Sequence, residues 1–317
     1  MTTAIVHPNI ALVKYWGKRD KALNLPSTGS ISLTVDRYET RTTVSFGSDH
    51  DVAYLSGRRL QGKEHERVFR HLDLVVPGRP PAEVVSANNF PSAAGLASSS
   101  SAFAALTMAA AASAGLTLPI ERLSELARRG SGSACRSLWG GFVEWRRGVL
   151  ADGSDSHGYP LAPQSAWDLR LVVAVLDPGQ KKIGSREAMN RTTETSPMYP
   201  VWVNTADLDL DEAREAIAAR DLSALGAVME RSALKMHATM MTALPAIRYW
   251  QPASVAAMEV VESLRAGGVS AFWTMDAGPN VKVLCEAHSA DAVARALAEV
   301  APAVEVLGVG GPPRLIP

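Results

Sequence analysis

Asn88-Asn89-Phe90-Pro91-Ser92-Ala93-Ala94-Gly95-Leu96-Ala97-Ser98-Ser99-Ser100-Ser101 follows a β-like run, Glu83-Val84-Val85-Ser86-Ala87, and leads into an alanine-rich segment from Ala102 to Ala114. A strand, a tight glycine turn, a run of hydroxyls and then a helix leave unpaired backbone N–H groups at a helix N-terminus, where the dipole favours an anion. Phosphate is the usual ligand of such a site. The same residues also suit a turn and a serine-rich cap on a buried core helix, and this stretch alone leaves both readings open.

Outward from that point, the chain alternates short strands and helices. Ile5-Val6, Ile10 to Val13, Ser30 to Val35 and Thr40 to Phe46 carry the β-branched content or alternation of strands, punctuated by Gly17, Pro26 and Gly29. Glu64 to Leu74 reads as a helix. Phe103, Leu106 and Ala110 lie at helical spacing, with Gly115 as a stop, and a second helix starts at Thr117 and Pro119. The run Leu169 to Leu176 predicts a buried strand ending at Asp177-Pro178-Gly179. Beyond it the spacing predicts helices over 185–193, 197–219, 221–237, 253–266 and 290–299. Strands are expected at 269–274, 281–285 and 304–309. Strands joined by helices without a long repeat give an α+β class, with a domain boundary expected after residue 180.

Composition narrows the function classes. A chain of 317 residues exceeds what one core usually fills, so two domains are expected. The 32 basic residues balance the 32 acidic ones, so no global field favours nucleic acid or an anionic membrane, and an anionic ligand needs a local basic pocket. Two cysteines, Cys135 and Cys285, make no disulfide framework, and the histidines show no zinc-like spacing. Met1 to Pro8 lacks the basic and apolar regions of a signal peptide, and Ala102 to Leu116 is too short to span a bilayer. A soluble cytoplasmic protein is the expectation.

Four further stretches offer charge or hydroxyls. Asn9-Ile10-Ala11-Leu12-Val13-Lys14-Tyr15-Trp16-Gly17-Lys18-Arg19 sets three cations beside two aromatics; these are either a solvated strand edge or point charges for an anion. Gly130-Ser131-Gly132-Ser133 with Arg136 combines a flexible backbone, hydroxyls and a guanidinium, which suits a diphosphate or carboxylate as well as a capped turn. Asp276, in Met275-Asp276-Ala277-Gly278-Pro279-Asn280 between two apolar strands, is either a turn residue or a carboxylate that needs a cation, for which Lys14 or Lys18 is available. Lys181-Lys182-Ile183-Gly184-Ser185-Arg186 is a basic linker or a loop that closes on an anion. Met236-His237-Ala238-Thr239 and Tyr249-Trp250 read as packing.

Together these stretches resemble the mevalonate diphosphate decarboxylases, a branch of the GHMP kinase superfamily, over nearly the whole chain. Lys14-Tyr15-Trp16-Gly17-Lys18 and Gly130 to Ser137 are the runs most particular to that branch, joined by Asn24-Leu25-Pro26 and the Asp276 loop. The resemblance implies a ribosomal-protein-domain-2-like α/β sandwich over 1–180 and a ferredoxin-like domain over 181–317. It also implies a homodimer that uses ATP and Mg²⁺ to convert mevalonate 5-diphosphate to isopentenyl diphosphate. A sibling substrate, such as mevalonate 5-phosphate or the 3,5-bisphosphate, and a non-catalytic ATP-binding module are the alternatives.

In that scheme Asp276, Lys18 and Arg136 are catalytic, with Lys18 holding Asp276 and the C3 hydroxyl and Arg136 orienting the substrate carboxylate. Lys14, Tyr15, Ser131, Gly132, Ser133, Ser185 and Arg186 bind the rest of the substrate. Asn88, Pro91, Ala94, Gly95, Leu96, Ala97, Ser98, Ser99 and Lys181 (or Lys182) hold ATP, with Ser98 and Ser99 near Mg²⁺. One departure stands out. After Asn24-Leu25-Pro26 the family usually carries Asn-Ser-Ser, whereas this chain has Ser27-Thr28-Gly29-Ser30, whose hydroxyls can replace some of those hydrogen bonds.

Overall fold

The structure, a computed structural model, describes residues 1–90, 98–177, 179 and 183–316. The first part of the chain is strand-rich: β1 (Thr2–Val6), β2 (Asn9–Val13), β3 (Lys18–Asp20), β4 (Leu25–Pro26), β5 (Ser30–Thr34), β6 (Thr40–Phe46), β7 (Val52–Leu55) and β8 (Arg58–Arg59). Then come α1 (Gly62–Val75), β9 (Ala82–Asn88), α2 (Ser98–Ser113) and α3 (Ile120–Gly130), followed by a 3₁₀ turn over Gly132–Leu138. β10 (Phe142–Trp145), β11 (Gly158–Ala162) and β12 (Leu169–Val175) follow. The remainder comprises α4 (Ser185–Thr195), α5 (Tyr199–Ala219), α6 (Leu222–Met241), α7 (Pro252–Ala266), β13 (Ala271–Met275), β14 (Val281–Glu286), α8 (Ala290–Ala298), β15 (Ala303–Gly308) and β16 (Arg314–Ile316).

Three larger sheets organise these elements into an α+β architecture. One has the order β16-β1-β6-β9-β7-β8, antiparallel except for the parallel pair β7 and β9. A second, β11-β10-β5-β2, presents the segment from Asn9 onward. The third, β13-β14-β12-β15, is antiparallel throughout. The boundary expected after residue 180 is crossed twice. β12 lies before it yet pairs with β14 and β15, and β16 returns from the C-terminal end to pair with β1. A strand with an unpaired edge seeks a ladder partner wherever the chain can reach one, which a division drawn on the sequence cannot show.

The burial pattern follows from composition. α2 is apolar nearly all round, with Phe103, Ala104, Ala105, Leu106, Ala109, Ala110 and Ala111 buried, so it is a core helix that lies on β1 and β6. β12 is covered on both faces: Val172 and Ala174 join one cluster with α7 and α8 residues, while Leu171, Val173 and Val175 join another with Leu225 and Val228 of α6. That explains its unbroken apolar run.

The loop between β2 and β3 is clamped onto α5. Trp202 Nε1 donates to the Trp16 carbonyl at 3.0 Å, and the Tyr199 hydroxyl donates to Ser27 Oγ at 2.6 Å. Gly17 has φ +89°, and a Cβ there would stand 2.0 Å from the Tyr199 hydroxyl oxygen. Gly17→Ala therefore combines a left-handed backbone with an overpacked contact, and a loss of about 1–3 kcal/mol in urea unfolding is expected; wild-type stability would contradict the clamp.

Candidate active site

β2 ends at Val13, and the next residue turns out of its sheet. The Lys14 backbone N–H donates to Ser232 Oγ on α6 at 2.9 Å, and its Nζ donates to the Ala11 carbonyl and to Asp276 Oδ1, each at 2.7 Å. Asp276 sits in the turn between β13 and β14, where the Gly278 N–H closes onto the Asp276 carbonyl at 2.9 Å. Its second oxygen, Oδ2, accepts from Lys282 Nζ at 2.9 Å. The Asp276 side chain is 28% exposed, whereas those of Lys14 and Lys282 are 1% and 2% exposed. The carboxylate thus opens outward and its two ammonium partners lie behind it. Burial pushes the Asp276 carboxyl up, but Lys14 and then Lys282 outweigh burial and hold it well below the usual carboxylate range. Burial also lowers Lys14 to about 8, against the pull of Asp276.

The expectation that Lys18 holds Asp276 is corrected by this geometry. The left-handed turn at Gly17 sends Lys18 into β3, and its ammonium makes no ion pair with Asp276 among the described residues. Lys18 instead lines a cavity of about 380 Å³ together with Lys21, Arg67, Arg70, Arg129 and Arg186, and no carboxylate among the described residues lines it. Lys21 is already paired at the surface with Glu194 at 2.8 Å. Arg67 donates to the Gly130 carbonyl at 2.9 Å and lies 4.3 Å over the Phe103 ring. Burial, then Arg186 and Arg67, lower Lys18 to about 8, and burial with Arg186 lowers Arg67 to about 10. Cations depressed by burial and by one another favour an anionic ligand.

Between these two features lies the 3₁₀ turn. Asn9 pins it, donating through Nδ2 to the Ser133 carbonyl at 3.0 Å and to Ser137 Oγ at 2.7 Å, and accepting at Oδ1 from Arg136 Nε at 3.2 Å. Arg136, 2% exposed, also donates to Ser30 Oγ, so the departure at 27–30 still supplies an anchor for it. Two of its five N–H groups are taken by these neutral acceptors and no carboxylate pairs with it among the described residues, which leaves donors for a ligand. Tyr15 packs 4.6 Å from the Trp145 ring, and its buried hydroxyl has no partner among the described residues. A Cβ on Gly132 would meet Trp145 at 2.8 Å and the Tyr15 hydroxyl at 3.0 Å, so only glycine lets the turn pass so close. Lys14 and Lys18 are four residues apart, which limits their Cα separation to about 14 Å. The run from Lys14 to Lys18 thus links the carboxylate to the basic pocket through four residues of chain.

Of the remaining expected ligands, Ser98 and Ser99 open α2, and Ser99 Oγ lies 3.1 Å from Ser131 Oγ, which joins the helix start to the 3₁₀ turn. Asn88 Oδ1 accepts from Thr40 Oγ1 at 2.7 Å. Ser185 starts α4 and Arg186 is exposed at the basic cavity. Pro91, Ala94, Gly95, Leu96, Ala97, Lys181 and Lys182 lie outside the described residues. Among the described residues no group of three or more histidine, cysteine or acidic side chains could cage a metal ion. Among the described residues the carboxylate of Asp276 is committed to two lysines, so the donors suit a Mg²⁺ ion carried on nucleotide phosphates rather than one caged by protein.

Sequence reasoning missed Lys282, Arg67, Arg70 and Arg129. Lys282 interrupts the apolar run Val281-Lys282-Val283-Leu284, and a lysine inside a buried strand must have a partner; Asp276 is six residues away. Arg67, Arg70, His71 and Leu74 share a helical face on α1, a signal that periodicity could have found.

Comparison with known proteins places this arrangement. Residues 6–158 match the diphosphomevalonate decarboxylase-like N-terminal domain, and residues 171–308 match the mevalonate 5-diphosphate decarboxylase C-terminal domain. The chain is 39% identical to the diphosphomevalonate decarboxylase of Gibberella zeae, covering 98% of this chain and 85% of that one. It superposes on the mevalonate diphosphate decarboxylase of Staphylococcus aureus with a TM-score of 0.95 at 38% identity, over 100% of this chain and 99% of that one. A second solved structure, a complex of MDDEF with MVAPP, AMPPCP and magnesium, is similar at a TM-score of 0.93 and 40% identity, over 99% and 98% of the two chains.

The depressed ammonium in the basic cavity makes a direct expectation. Affinity for inorganic pyrophosphate, measured by calorimetry, should fall by on the order of tenfold as pH rises through about 8 and Lys18 loses its charge. Lys18→Arg, which stays charged, should hold its affinity above that pH; an identical pH profile in the variant would contradict the assignment.

Proposed function

The chain belongs to the diphosphomevalonate decarboxylase family, and from that premise we infer that it converts mevalonate 5-diphosphate and ATP to isopentenyl diphosphate, ADP, phosphate and carbon dioxide. The observation that carries this reading is the outward-facing carboxylate of Asp276, fixed between Lys14 and Lys282 and linked by the run Lys14 to Lys18 to a cavity that six cations line among the described residues.

The chemistry follows from those parts. A tertiary C3 hydroxyl leaves poorly, so it must first become a phosphate ester, and that transfer is mostly positioning and charge neutralisation. Asp276 accepts the hydrogen bond of the C3 hydroxyl and aims its oxygen at the γ-phosphorus of ATP. Because two ammonium groups keep the carboxylate ionised, it is available for this throughout the neutral range. Lys18, Arg186 and the Tyr15 hydroxyl hold the diphosphate tail, with Ser131 and Ser133 beside it. The nucleotide lies against the start of α2, where the Ser98 and Ser99 hydroxyls would neighbour a Mg²⁺ ion whose charge would offset that of the phosphates. When the new phosphate leaves, positive character grows at C3. The donors of Arg136 left over from Asn9 and Ser30 hold the substrate carboxylate in line until it departs as carbon dioxide. Gathering these cations where little water enters strengthens each contact.

A cytoplasmic homodimer completes the reading. No helix among the described residues is long and apolar enough to cross a membrane, and Val201, Leu208 and Leu234, exposed on α5 and α6, supply apolar area for a contact between copies.

The test is coupled ADP release across mevalonate, its 5-phosphate and its 5-diphosphate, with product masses determined. Turnover of the 5-diphosphate to isopentenyl diphosphate is expected; preference for the 5-phosphate would move the chain to a sibling activity, and nucleotide binding without turnover would refute catalysis. Asp276→Asn should lower kcat by on the order of 10²–10⁴ while the KM for ATP changes little, and near-wild-type kcat would remove Asp276 from the mechanism.

A further inference from the structure

Lys282 is the second residue of β14, paired with Thr274 of β13 on one side and Val173 of β12 on the other, among the buried Val281, Val283 and Leu284. Its ammonium has one hydrogen-bond partner among the described residues, Asp276 Oδ2. Charge balance alone does not explain it, because Lys14 already neutralises Asp276 from the opposite oxygen. A second buried ammonium leaves the cluster net positive, with Arg136 adding to it, and burying an unneeded charge is costly. The two lysines also come from different places. Lys14 reaches across from the end of β2, whereas Lys282 belongs to the same hairpin as Asp276.

We propose that Lys282 is a positioning residue for the decarboxylase reaction: it fixes Asp276 Oδ2 within the β13–β14 hairpin, so that Oδ1 faces the substrate hydroxyl while Lys14 ties the hairpin to the N-terminal sheet. The proposal rests on the activity inferred above. The charged or titratable groups facing Asp276 are Lys14 after β2, Arg136 in the 3₁₀ turn, His237 of α6 and Lys282 itself. Burial and then Lys14 lower His237 to about 4, so it stays neutral across the working range and adds no charge of its own.

The experiment is steady-state kinetics of the full chain with ATP, Mg²⁺ and mevalonate 5-diphosphate. Lys282→Met should lower kcat by about tenfold or more with the KM for ATP within about threefold of wild type. Its kcat should also acquire an acid limb at higher pH, because a carboxylate with one cation fewer binds a proton more readily. An unchanged kcat, or a loss with the acid limb unmoved, overturns the proposal. Should that variant not fold, Lys282→Arg decides: it keeps the charge but displaces it, so a kcat lowered by about threefold or more with the wild-type acid limb supports the proposal, and wild-type kcat overturns it. A wild-type chain inactive on mevalonate 5-diphosphate would refute the inferred activity instead; an active wild type with unaffected variants would refute only the role of Lys282.

Discussion

A carboxylate held between two buried ammonium groups is the constraint on which the site depends. Lys14 and Lys282 are almost wholly enclosed and each donates to a different oxygen of Asp276, so removing either frees one carboxylate oxygen while the other lysine still neutralises the charge. Burial costs are met by surrounding order: β14 is an inner strand of its sheet, the residue after the edge strand β2 is tied to Ser232 of α6, and Trp202 of α5 clamps the loop that follows. The ion triad therefore joins the end of β2 to the β13–β14 hairpin late in the chain.

The rest of the site is arranged by distance from that triad. The five-residue run from Lys14 to Lys18 passes the triad, the Tyr15–Trp145 contact and the basic cavity in turn, and the left-handed Gly17 separates the first lysine from the second. The two lysines consequently line different parts of the site. One is neutralised by protein and fixes geometry. The other lies beside Arg67, Arg129 and Arg186 and has no ion pair among the described residues, a setting that favours an anion. Asn9 and Arg136 hold the 3₁₀ turn between them, so substrate contacts from the two ends share one rigid support.

Much of this was legible in the sequence, and the failures have physical causes. The apolar run of β12, the helix beginning at Ser185 and the Asp276 turn were visible because period, composition and turn residues act locally. The resemblance also identified the activity, since its runs survive nearly intact. The choice between Lys14 and Lys18 was not legible: both follow the same strand, and only the backbone sign at Gly17 separates them. Lys282 was read as part of a strand because periodicity counts apolar neighbours and ignores the charge among them. Arg67 and Arg70 meet Lys18 only once α1 packs beside α3, a long-range event without a local signature. The crossing of β12 and β16 between halves is likewise decided by available sheet edges. The helix expected to end at 237 runs on to Met241 because Met240 is buried in the core there.

The most direct measurement of the central claim is the pH titration of the Asp276 carboxyl by ¹³C NMR, in protein labelled at aspartate and assigned by the signal lost in Asp276→Asn. With a folded-state pKa depressed by two ammonium groups, the carboxyl should show no titration between pH 7 and about pH 4, where ordinary aspartates begin to protonate. The stability this ionisation contributes should then be present above the unfolded-state pKa and lost only as pH falls through the depressed one. A midpoint at or above the ordinary aspartate value would contradict the account, since a carboxylate gripped by Lys14 and Lys282 could not bind a proton so readily.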